Sequence, residues 1–196
     1  FMMIKLNDIA EIKTGLVLSR KKAEAHTPSG YSYKIVSLKS FAENAIYDDA
    51  FADEFISSEQ INEDYKESRG DILLRLREPN FAVYIDKEYS DLVYTSLMVR
   101  IRVSSDKFDP HFVAHYLNSS AVKKALAPDI SGTAIAMISV ASINNLKIPL
   151  VNLQTQNKIV KYLNLARQES EILQNLAAQK QKYHKSIFEN LIKEEN

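Results

Sequence analysis

The sequence predicts an α+β protein, with a mixed α/β globular domain over residues 1–150 and a long C-terminal α-helix over 151–196. Three observations lead there. Residues 92–103, L-V-Y-T-S-L-M-V-R-I-R-V, are rich in β-branched residues of the kind that favour strands. Asp109-Pro110 is a helix start, a carboxylate at the N-cap followed by proline at the first helical position. From Gln154 to the last residue there is neither glycine nor proline, and apolar side chains return at steps of three and four.

The elements follow in chain order. Residues 4–13 read as a short helix or strand entering a turn at Thr14-Gly15. Residues 31–38, Y-S-Y-K-I-V-S-L, read as a strand, and 50–69 has the period of a loose helix closed by Gly70. D-I-L-L-R-L-R at 71–77 is a strand broken by Glu78-Pro79-Asn80, and strands follow at 81–85 and 92–103. The helix begun at Asp109-Pro110 runs to Ser119 or Ser120, with another turn of helix at 121–127 before Pro128. Ser131-Gly132 marks a turn, and 133–148 holds at least one more strand. Pro149 then fixes the junction with the long helix, and Asn152 can cap its start.

In that last segment one seam runs through Ile159, Leu163, Ala166, Ser170, Leu173, Ala177, Lys180, His184, Ile187 and Leu191, and a second through Tyr162, Ala166, Glu169, Leu173, Leu176, Lys180, Tyr183 and Ile187. Two overlapping seams make a broad apolar face rather than a narrow two-stranded zipper. Forty helical residues extend ~60 Å, while a compact domain of 150 residues is about 40 Å across. The stripe therefore needs a partner, a second copy, another subunit or both, unless the helix breaks in two and folds back as a hairpin, for which no glycine or proline is present. Ile159, Leu163, Ala166, Leu173, Leu176, Tyr183 and Ile187 are the candidate interface.

Hydrophobic residues make up 45% of the chain, enough for one core with an appendage, and 26% charged residues argue against wholesale disorder. There is no cysteine, which removes disulfides and thiolate metal sites. No apolar run approaches the ~18–20 residues that span a bilayer, and the start lacks a signal-peptide pattern. A soluble, cytoplasmic protein with no membrane partner is the expectation. Net charge is zero, but unevenly spread: residues 1–42 carry net +4, 43–71 carry net −8, and 111–150 and 151–196 carry +2 each. The four glycines lie far apart, so no phosphate-gripping loop exists. His111 and His115 share a helix face, but phenylalanine follows the first where a zinc protease has glutamate, and no third ligand is evident. No catalytic constellation, metal site or cofactor site of the chain's own is expected.

Four stretches carry a resemblance. They are L-N-D-I-A-E-I-K-T-G at 6–15, G-D-I-L-L-R-L-R at 70–77, P-H-F-V-A-H-Y-L-N-S at 110–119, and the run from Ser131-Gly132-Thr133 through Ile148-Pro149-Leu150 to Gln156 and Ile159-Val160. In this order and spacing they resemble the specificity (S) subunits of type I restriction–modification enzymes. Val151 stands where a second proline is common in that family, and the turn after Arg77 lacks its glycine. Complete family members carry two target recognition domains and two helical regions. This chain resembles half of one.

The resemblance implies a non-catalytic subunit that binds double-stranded DNA and directs methyltransferase (M) subunits, and through them the restriction (R) subunit, to a split target. S-adenosylmethionine, ATP and magnesium would then belong to those partners. The family's helices are spacers that lie antiparallel, and here they would pair two copies of the chain as a homodimer. Phosphate contacts would come from Lys13, Arg20, Lys21, Lys22, Lys123 and Lys124, and base contacts from Lys39, Arg75 and Arg77, with Thr14 and Thr133 as auxiliary donors. Arg100 and Arg102 share a sheet face, where they either pair with the acidic segment or meet DNA. A helical adaptor without DNA binding is the competing reading, and an enzyme active without partners is a third.

Overall fold

A computed structural model describes residues 2–23, 30–41, 45–77, 80–130 and 137–194. The chain divides into two units, Phe1–Asn157 and Lys158–Asn196.

The first unit begins with β1 (Met3–Lys5), a 3-10 turn at Leu6–Asp8, and β2 (Ala10–Thr14). The segment left open between helix and strand is thus two strands around a turn. β3 (Tyr31–Ile35) forms where a strand is expected. The loose helix expected over 50–69 does not form. That region holds β4 (Asp53–Ser57) between 3-10 turns at Asp49–Phe51 and Glu63–Tyr65. Its side chains alternate: Phe55 and Ser57 are buried while Glu54 and Ile56 face solvent, so pairing with β3 decides the conformation.

β5 (Ile72–Arg75) and β6 (Ala82–Tyr84) follow. The run expected as one strand over 92–103 is two, β7 (Leu92–Val93) and β8 (Met98–Val103), which belong to different sheets. Gly15 shows why the chain turns between them. Its N–H donates to the Met98 carbonyl, and a Cβ there would lie 2.6 Å from Tyr94. Only glycine lets the Thr14-Gly15 turn approach so closely.

Three helices complete the unit, α1 (Pro110–Leu117), α2 (Ser120–Ile130) and α3 (Val140–Asn144), followed by β9 (Lys147–Pro149). The Asp109 carboxylate caps α1, accepting from the N–H groups of His111 and Phe112 at 2.7 and 3.1 Å. α1 closes at Leu117, two residues before the expected end, because Asn118 turns its amide onto β6: it donates to the Ala82 carbonyl and accepts from the Ala82 N–H. This covers one edge of a sheet that would otherwise expose unpaired backbone. α2 runs two residues past Pro128, in the last turn. The 133–148 region supplies α3 and the start of β9, and residues 131–136 lie outside those described.

The main sheet runs β2-β8-β5-β6, antiparallel throughout. A second sheet runs β4-β3-β7, with β3 and β7 parallel, and β1 pairs with β9. Leu73 joins Val36, Phe41, Tyr47, Leu92 and Tyr94 in one cluster, so Ile72 and Leu74 face the other way, where α1 packs on β5 and β6. All three are fully buried, each contributing about 1.5–3 kcal/mol.

α4 (Leu153–Glu194) is one unbroken helix of 42 residues. Asn152 caps it, accepting from the Thr155 N–H at 2.9 Å, as expected. Within the second unit Tyr162, Leu173, Leu176, Tyr183 and Phe188 are exposed. No helix among the described residues is long and apolar enough to cross a membrane.

Candidate nucleic-acid interface

The basic residues expected to meet DNA fall into two groups. The first gathers at the turn after β5. The Arg75 N–H donates to the Phe81 carbonyl, and its guanidinium lies 5.8 Å from the Phe41 ring centre. That contact places Arg75 beside the Leu38–Ser40 turn carrying the exposed Lys39. Lys123 reaches in from α2, its ammonium 4.9 Å from the Phe81 ring centre, with exposed Lys124 next to it. Arg77 is exposed, and its backbone bridges to that of Met137. Arg75, Arg77 and Lys123 therefore border the turn after β5, with Lys39 two residues from the Phe41 ring that Arg75 covers, and two of these cations sit over aromatic rings.

The second group lies against the acidic segment. Lys13 on β2 pairs with Asp64 at 3.2 Å and sits 4.2 Å over the Tyr65 ring. Lys21 pairs with Glu59. Lys22 is exposed and bridges by its backbone to Ser57, and Arg20 is exposed in the 3-10 turn Leu18–Arg20. Thr14 is exposed at the end of β2. Thr133 lies outside the described residues.

Arg100 and Arg102 resolve in favour of ion pairing. Arg100 is only 2% exposed; it donates to the Asp64 carbonyl at 2.8 Å and to the Glu11 carboxylate at 3.2 Å. Arg102 grips Asp71 with two bonds of 2.7 Å. Beside them Glu67 is buried, and burial, helped by the negative Asp71, pushes its carboxyl pKa well above the usual range against the pull of both arginines.

The histidines do not make a metal site. His111 stacks on Tyr84 at 4.7 Å and on His115 at 4.9 Å, with ring planes 9° and 19° apart. Stacked rings send their lone pairs out side by side rather than toward one ion. Burial, then the neighbouring His111, lowers His115 to about 4. Among the described residues no three His, Cys, Asp or Glu side chains are placed to hold a metal.

Gln156 is the residue whose role the sequence hides. It is fully buried in the first turn of α4. Its amide oxygen accepts from the Asp109 N–H at 2.8 Å, and its nitrogen donates to the carbonyls of Lys107 and Val151 at 2.9 and 2.6 Å. One side chain ties the N-cap of α1 to the start of α4.

The sequence pattern of one protein family, the type I restriction modification DNA specificity domain, matches residues 1–183. No curated protein matches significantly. The fold resembles the crystal structure of the HsdS subunit from Thermoanaerobacter tengcongensis, with TM-score 0.68 and 14% identity over 92% of this chain and 45% of that one. It also resembles the type I restriction-modification S subunit from M. genitalium, with TM-score 0.54 and 17% identity over 90% of this chain and 41% of that one. A chain from a structural study of type I R-M complex assembly matches with TM-score 0.60 and 18% identity, over 91% of this chain and 41% of that one. At these identities the likeness is one of fold. The chain spans less than half the length of each.

Proposed function

Since the chain belongs to the type I restriction modification DNA specificity family, we propose that its first unit reads one half of a split double-stranded DNA target for methyltransferase and restriction subunits that carry the catalysis. The observation behind this is that Arg75, Arg77 and Lys123 border the turn after β5, with Lys39 in the turn beside Phe41. Arginine there can grip a guanine edge with two bonds, and lysine can neutralise phosphate. S-adenosylmethionine, ATP and magnesium are used by the partner subunits, in the cytoplasm. The second half of the target is read by a second copy, paired antiparallel through α4. The supporting feature is the exposed stripe of Leu173, Leu176, Tyr183 and Ile187, 38–65% open. A two-fold pair buries the same stripe on both copies.

Binding of a selected duplex by the chain, with and without methyltransferase subunits, tests this. Arg77→Ala should relax discrimination at one base pair by about 1–3 kcal/mol. Lys123→Ala should weaken all sequences alike and lower the salt slope by ~1. If both variants bind all duplexes as the parent does, the turn after β5 is not the reading surface.

A further inference from the structure

Lys13 and Lys21 are the two basic residues of the second group that face carboxylates, and those carboxylates are placed by the backbone. Residues 21–23 run along 56–58: Ala23 N–H donates to the Ile56 carbonyl at 3.0 Å, and Ser58 N–H to the Lys21 carbonyl at 2.8 Å. Buried Ser57 then turns the chain, its hydroxyl donating to the Glu59 carbonyl at 2.6 Å, which sets Glu59 beside Lys21. Lys13 stands opposite Arg100 in the β2–β8 ladder, and the buried Arg100 guanidinium holds the Asp64 carbonyl. The turn carrying Asp64 is thereby registered on the strand carrying Lys13. Exposure is unequal within each pair. The lysines are 24% and 28% exposed, and Asp64 and Glu59 are 72% and 59% exposed. The carboxylates lie on the solvent side, where a phosphate would arrive.

We infer that Asp64 and Glu59 compete with DNA phosphate for Lys13 and Lys21, so that these lysines engage only a duplex held well enough elsewhere to displace the carboxylates. This rests on the DNA-binding reading above. A lysine cancelled by its own carboxylate displaces little of the counterion atmosphere of DNA and adds little affinity for arbitrary sequence. Exposed pairs of this kind are weak, so displacement by phosphate on a target is within reach. The acidic segment then acts as a discriminator, lowering binding to non-target duplex more than binding to target.

The test uses the full chain and a short random-sequence duplex, with binding followed by fluorescence anisotropy over a salt series. Asp64→Asn with Glu59→Gln keeps the backbone contacts, since Arg100 and Ser57 bind main-chain atoms; melting curves verify that the variant folds. The double variant should bind random duplex more tightly, by up to about fivefold per carboxylate. Its salt slope should steepen by up to ~0.9 per lysine released. In a Lys13→Ala, Lys21→Ala background the same carboxylate changes should have no such effect, which separates the pairing from a general change of charge. An unchanged affinity and slope while the parent binds DNA overturns this inference alone. The same gain with and without the lysines also overturns it. Absence of DNA binding by every variant overturns it together with the DNA-binding reading.

Discussion

Gln156→Ala should weaken the first unit more than any surface change of the same size. The side chain is fully buried and makes three hydrogen bonds, so its removal strands one donor, Asp109 N–H, and two acceptors, the carbonyls of Lys107 and Val151. A buried group left unsatisfied costs about 1–3 kcal/mol. Lys107 and Val151 line a surface hollow with Asp106, Leu150, Asn152 and Leu153, from which water can reach their carbonyls in the variant. The Asp109 N–H belongs to the residue that caps α1, so it sets the lower bound. The net loss is therefore at least about 1–3 kcal/mol, a drop of roughly 2–12 °C in melting temperature for a chain of this size. Gln156→Glu separates the two sides of the network. Its carboxylate still accepts from Asp109 but points its other oxygen at two carbonyls, so its deficit should shrink at acidic pH, where a protonated acid can donate to one of them. Thermal melts of the three proteins at neutral and acidic pH decide the matter. If Gln156→Ala melts with the parent, the junction is held by apolar packing and the hydrogen bonds are incidental.

Two further outcomes follow from the structure. Glu67 has its folded-state pKa raised, so the folded chain holds a proton that the unfolded chain releases, and stability should fall as pH rises from the unfolded value of 4.5 toward the folded one. Glu67→Gln should flatten that fall, read as denaturant midpoints across pH; an identical pH profile in the variant would show that Glu67 does not titrate in this range. Leu173→Glu with Leu176→Glu, at positions 58% and 48% exposed in the single chain, should give monomers by light scattering with the first unit still folded, and a parent chain monomeric at high concentration would rule out self-pairing through α4.

The parts of the fold legible in the sequence were those whose cause is local. The Asp109 cap, the Asn152 cap and the glycine- and proline-free helix depend on neighbours in the chain, and each formed where the pattern placed it. The errors arose where a partner strand decides. In D-E-F-I-S at 53–57 the flanking Phe51 and Tyr65 mimic a helical period, yet Phe55 packs beside Tyr33, Leu18 and Ile61 and the segment pairs with β3. In 92–103 the β-branched Thr95 disguises a turn: Met98 N–H donates to the Thr95 carbonyl, and the two halves leave for different sheets.

The candidate site was legible as residue types and illegible as charge. Read along the chain, a basic segment over 1–42 precedes an acidic one over 43–71, which suggests two surfaces of opposite sign. In the fold they meet, through pairs 51 and 38 residues apart, Lys13 with Asp64 and Lys21 with Glu59. The charge of each segment is therefore spent partly on the other, and Lys13 and Lys21 are less available than the exposed Arg20 and Lys22. Arg75 and Lys123 end over phenylalanine rings instead. Tertiary pairing thus reorders a linear charge profile residue by residue: Lys13 and Lys21 are engaged by carboxylates, while Arg20 and Lys22 beside them stay exposed.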